Sequence, residues 1–155
     1  MLARIFPVRT FIVICLMLSG VALAGRPAGA HGTLGTASAT ADAALDGCTG
    51  TGRALYTCVA GVLDNMGREI ATFPQDEKQA AAVLRTAASR LRAAVSKVQA
   101  LSAISLCQAA IAGALRQARV ISVNNSLFRG WGTPAGLESV ARVLAKAAAL
   151  IQTKG

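Results

Sequence analysis

Long stretches in which apolar residues return every three or four positions alternate with short breaks rich in Gly, Pro, Asn or Ser. Leu55, Val59, Val62, Met66, Ile70 and Phe73 trace one face of an amphipathic helix. Thr51 is placed as its N-cap and Pro74 as its end. Asp76 and Glu77 open a second helix, because carboxylates suit the positive start of a helix. Its apolar stripe is Leu84, Ala88, Leu91, Val95 and Val98, and a third stripe follows at Ile104, Cys107, Ile111, Leu115 and Ala118. No Gly or Pro falls between Gln75 and Ala112, so these two helices could form one rod. A rod would leave its far half without a partner in a monomer, and a turn within Ser102–Ser105 is therefore predicted. Ala109, Ala110 and Gly113 are small enough to admit a neighbouring backbone.

Asn124-Asn125 and Gly130-Trp131-Gly132 mark a loop. Thr133 then caps a last helix with Pro134 at its first position, and its stripe is Leu137, Val140, Leu144, Ala148 and Ile151. The pattern predicts an all-α fold: a small up-down bundle of about four helices over residues 48–155. Composition agrees, since aromatics make up only 4% of a chain rich in Ala, Leu and Val.

The first 47 residues differ from the rest. Arg4 and Arg9 precede a continuous apolar run, Phe11–Leu18, which is followed by Ser19-Gly20 and the small-residue site Ala22-Leu23-Ala24. That order predicts a secretory signal over residues 1–24, with cleavage after Ala30 as the alternative. The apolar run is short for a spanning helix. Residues 25–47 are Gly, Ala, Ser and Thr with few large side chains, and are expected to form a flexible lead-in.

Export would place the cysteines in an oxidising compartment. Cys15 leaves with the signal, and Cys48, Cys58 and Cys107 remain. If the first two helices are antiparallel about Pro74, Cys107 returns to the start of the first. Cys58–Cys107 is then the expected bridge and Cys48–Cys107 its alternative, while Cys48–Cys58 closes a short loop and is less attractive if the first helix is already formed there. The cysteine left over is either buried and inert or a link between two chains of a homodimer.

His31 is the only histidine, and it lies in the expected lead-in. A nucleophile–histidine pair, a Glu-x-x-His di-iron site and a zinc motif all lack their residues. Cleavage before His31 would create an amino-terminal copper chelate, but no second histidine would complete it. No catalytic residues, metal or cofactor are expected.

The formal net charge is +9, and +7 once Arg4 and Arg9 have gone with the signal. An excess of that size suits anionic partners. On a helical wheel Lys78, Arg85 and Arg92 flank one side of the second stripe, and Arg90 and Lys97 the other. Cations on both sides usually cover the edges of a core face. Nucleic acid is disfavoured, because few aromatics stand among the cations. Arg129 and Trp131, in the glycine-flanked loop, are candidate contacts for a protein partner. The expected function is that of an exported, non-catalytic binding or structural module with an unspecified protein or cell-envelope partner. The alternative is a binder of envelope polyanions, polysaccharide or anionic lipid, through the five cations. A membrane is otherwise met only in transit, through the signal.

Overall fold

A computed structural model describes residues 33–73, 77–120 and 132–155, without the side chains of 118–120. The expected signal, both cleavage sites and His31 lie outside the described residues, as do Asp76, Arg129 and Trp131.

Helix formation begins earlier than the apolar pattern predicts. α1 spans Leu34–Asp46, inside the segment expected to be a flexible lead-in. Its start is fixed by a reciprocal cap. The Thr36 N–H donates to Thr33 Oγ1 at 3.2 Å, and the Thr33 N–H donates to Thr36 Oγ1 at 2.9 Å. Two backbone donors that a bare helix end would leave unpaired are thereby satisfied. Leu34, Ala37, Ala41 and Leu45 are buried along one side. Burial of each leucine contributes about 1.5–3 kcal/mol, and the alanines let neighbouring helices come close. The bundle therefore has five helices among the described residues, not about four, and no strands.

α2 spans Gly52–Ala71 and buries Leu55, Tyr56, Val59, Leu63, Met66 and Ile70. Gly52 has φ +51°, a left-handed conformation that glycine adopts without a Cβ penalty, and there the chain turns from α1 into α2. Thr51 has the extended backbone of an N-cap but makes no side-chain cap bond. α3 spans Lys78–Ala93 and buries Leu84, Ala88 and Leu91 as the stripe predicts.

The expected turn at Ser102–Ser105 is not there. The break comes earlier, at Ala94–Ser96, and α4 runs unbroken from Lys97 to Val120. Ala94 leaves the helical conformation at ψ 126°. Ser96 Oγ accepts from the Gln99 N–H at 3.3 Å, and Gln99 Oε1 accepts from the Val95 N–H at 2.9 Å. Side chains thus take up donors that a continuous helix would have paired internally. Val95 and Val98 consequently leave the core stripe.

α5 spans Pro134–Lys154, with Thr133 Oγ1 accepting from the Gly136 N–H at 3.1 Å and Pro134 in its first turn. Gly136 allows the first turns of α5 and α1 to meet, since a Cβ there would stand 2.7 Å from Leu34 Cβ.

The pairings close a ring: α1 on α2, α2 on α3, α3 on α4, α4 on α5 and α5 on α1. Leu55, Leu63, Leu84, Leu91, Ile104, Ile111, Leu137 and Leu144 fill its interior, all fully buried.

Candidate binding surface

The bridge that the structure forms is Cys48–Cys58, with Cα atoms 5.8 Å apart, in place of the expected Cys58–Cys107 or Cys48–Cys107. The α1–α2 turn lays Cys48 against the second turn of α2, whereas Cys107 belongs to α4, which packs chiefly on α3 and α5. Cys107 is free and buried, and burial pushes its thiol pKa up to about 12. A thiol with that pKa stays protonated and poorly nucleophilic near neutral pH. A disulfide is compatible with an oxidising compartment.

Acids and cations divide unevenly around the ring. On the α1–α5 side, Lys146 Nζ donates to Asp42 Oδ2 at 3.0 Å and to the Asp42 carbonyl at 2.9 Å, and it lies 2.8 Å from Asp46 Oδ1. The hydrogen bonds to Asp46 and then Asp42 hold the ammonium above the usual lysine range. Between α2 and α3, Asp64 meets Arg92 at 3.0 Å, Arg68 at 3.3 Å and Arg85 at 4.0 Å. The hydrogen bond from Arg92 is the main reason its carboxyl is held below the usual range, and burial works against it.

One carboxylate thus faces three guanidinium groups, and Arg90 joins them. Arg85, Arg90, Arg92 and Asp64 all line one shallow concavity of about 570 Å³. The helical wheel assigned Arg90 to the opposite flank from Arg85 and Arg92, but the concavity is wide enough to receive both. Lys78 stands at the other end of α3, about 20 Å along the helix from Arg92. Lys97 opens α4, just beyond the turn that follows Arg92. Four of the five predicted cations therefore fall on the concavity or on the adjoining corner.

The corner, and the side of α4 that leads away from it, also carry apolar side chains that the periodicity assigned to the core or left unmarked. Val95 is 71% exposed, Val98 77% and Leu106 53%. α4 carries no charged residue from Val98 to Leu115, and its exposed side presents Val98, Ser102, Ser105, Leu106 and Ala109. The stretch Lys97–Gln117 is apolar and long enough to cross a membrane by length and composition, yet only a third of its most apolar part is buried in the bundle. An apolar groove of about 250 Å³ separates α3 from α4, with Val83, Ala87, Leu106 and Cys107 along it and Arg90 at its margin. Ala110 also lines this groove, while Gly113 has no close backbone beside it.

Sequence does carry a signal for this surface. All seven acids lie outside residues 78–137, so α3 and α4 hold seven cations and no carboxylate. Glu77, just before that stretch, is buried, and desolvation raises its pKa. Among the described residues, no group of three or more His, Cys, Asp or Glu side chains is arranged to hold a metal ion. Comparison with family models, curated proteins and solved structures finds no match.

Proposed function

We propose that this chain is an exported, non-catalytic helical module whose α3–α4 side binds an anionic component of the cell envelope. The observation that carries this reading is the acid-free stretch from Lys78 to Leu137, whose cations Arg85, Arg90, Arg92 and Lys97 fall on the second half of α3 and the start of α4. One carboxylate, Asp64, stands among them. A field of one sign with few internal counter-charges attracts polyanions and keeps them in register. Export is supported by the signal-like order of residues 1–24 and agrees with the Cys48–Cys58 bridge. The separation of the acids, with Asp42 and Asp46 committed to Lys146 and Asp64 to three arginines, supports a non-catalytic role.

Expression in an exporting host tests both halves of the reading. The expected product has lost residues 1–24 and gains the mass of two hydrogens on reduction. It is retained on an immobilised soluble polyanion such as heparin, and released as salt rises. Arg90→Gln with Lys97→Gln should advance release to lower salt. An unprocessed product would overturn export, and retention indifferent to salt and to both substitutions would overturn the basic binding surface.

A further inference from the structure

Resting on that reading, we infer that the anionic component is a phospholipid bilayer surface, met by the corner where α3 turns into α4. Two independent features converge there. The first is charge: Arg90 and Arg92 occupy the last turn of α3, Lys97 opens α4, and neither helix carries an acid. The second is apolar area that the fold leaves in water: Val95 and Val98 at the corner are more than two-thirds exposed, and Leu106, about 12 Å further along α4, more than half.

Val95 and Val98 bracket Lys97, so the cation and the apolar side chains stand on the same turn. At 100° per residue, Ser102, Ser105 and Ala109 continue the side begun by Val98, with Leu106 on its flank. This is the composition of an interfacial element: apolar side chains that enter the acyl boundary, small neutral residues beside them, and cations at headgroup level.

The alternatives fit less well. A soluble polysaccharide satisfies the cations but offers no apolar phase to Val95, Val98 and Leu106. A second copy docked through the same corner covers the apolar residues but brings Arg90 and Lys97 near their own kind. An anionic bilayer complements both features at once. Arg92 is shared with Asp64, which leaves Arg90 and Lys97 as the cations this docking chiefly uses.

Co-sedimentation with vesicles tests the inference, using the processed product of the exporting host. Binding is expected to vesicles of phosphatidylcholine with phosphatidylglycerol, and to be at least tenfold weaker with phosphatidylcholine alone. Each cation near an anionic surface is worth roughly fivefold in partitioning, so Arg90→Gln with Lys97→Gln should weaken it by roughly twenty-five-fold. Val95→Ser with Val98→Ser should weaken vesicle binding by roughly tenfold and leave heparin retention unchanged. Both valines are exposed, so folding is spared, and Val98→Trp should strengthen vesicle binding. Equal vesicle binding by wild type and the double-serine variant would overturn bilayer docking. Heparin retention without vesicle binding would overturn it too, while leaving the basic binding surface intact. Failure to bind either would remove both.

Discussion

The α1–α2–α5 side and the α3–α4 side of this bundle bury similar apolar stripes and treat charge in opposite ways. On the first, Lys146 of α5 bridges Asp42 and Asp46 and so ties α5 to α1. On the second neither α3 nor α4 carries a carboxylate, and Asp64 on α2 is shared by Arg68, Arg85 and Arg92. The apolar residues follow the same division. Leu34 and Leu45 are almost wholly buried on α1, whereas Val95, Val98 and Leu106 face water. Both sides supply the core, but among the described residues the large exposed apolar side chains and an excess of cations over carboxylates fall on the second. A surface with an excess of one charge and exposed hydrophobes is where an interaction is expected.

The largest difference between the two sides is expected when one apolar side chain is truncated on each. Leu45→Ala should destabilise the fold by about 2–5 kcal/mol, whereas Val98→Ser should change it by no more than about 0.5 kcal/mol. Urea denaturation measures both. Equal effects would mean that α1 is not part of the core or that Val98 is not exposed.

The disulfide belongs to the first side. Replacing Cys48 and Cys58 with Ala opens a bridge that spans 10 residues. The expected cost is roughly 2–3 kcal/mol, read as a lower denaturation midpoint. Cys107 in the same preparation should resist iodoacetamide at pH 8 and react once the protein is unfolded. Fast labelling of the native protein would contradict its burial.

Glu77 stands at the boundary, the last acid before the acid-free stretch. Its Oε2 is buried without a hydrogen-bond partner among the described residues, and burial raises the carboxyl above its ordinary value of 4.5. The protonated form is therefore the one the fold favours. The stability that its protonation gives is complete below the ordinary value and is lost as pH rises through the higher folded value. Glu77→Gln should stabilise the protein by about 1 kcal/mol at pH 7, and the gain should fade toward pH 4.

Asp64 has the opposite sign. Its depressed pKa gives stability that is present above 3.8 and is lost as pH falls through the lower folded value. Arg92→Gln should cost about 0.5–1 kcal/mol at neutral pH, because the arginines around Asp64 are well exposed. It should also shift the onset of acid unfolding upward, which a pH titration followed by circular dichroism would show.

The helices that were legible in the sequence are those with large apolar side chains at regular spacing. Leu55 to Ile70 announced α2, and Thr133-Pro134 with Leu137 to Ile151 announced α5. α1 was not legible because its buried face is Leu34, Ala37, Ala41 and Leu45, and alanine contributes little to an apolar stripe. Thr33 and Thr36 were the available sign, since a hydroxyl pair three residues apart can close a reciprocal cap. The break between α3 and α4 contains neither Gly nor Pro. Ser96 and Gln99, a cap-forming pair three residues apart, mark it instead. Val95 and Val98 matched the period of a core stripe, and only the end of the helix before them turned them outward. The disulfide could not be read from spacing while α1 was unseen, because α1 and its turn are what bring Cys48 to Cys58. Of the proposed binding surface, the cations were legible singly. Their gathering in one concavity required the fold.

The contrast between the two sides is tested most directly by hydrogen–deuterium exchange with and without phosphatidylglycerol-containing vesicles, mapped along the chain. New protection is expected over the end of α3, the turn at Ala94–Ser96 and the first turns of α4, with α1 and its Asp42–Lys146 contacts unchanged. Protection confined to α1 and α5, or spread evenly over all five helices, would contradict it.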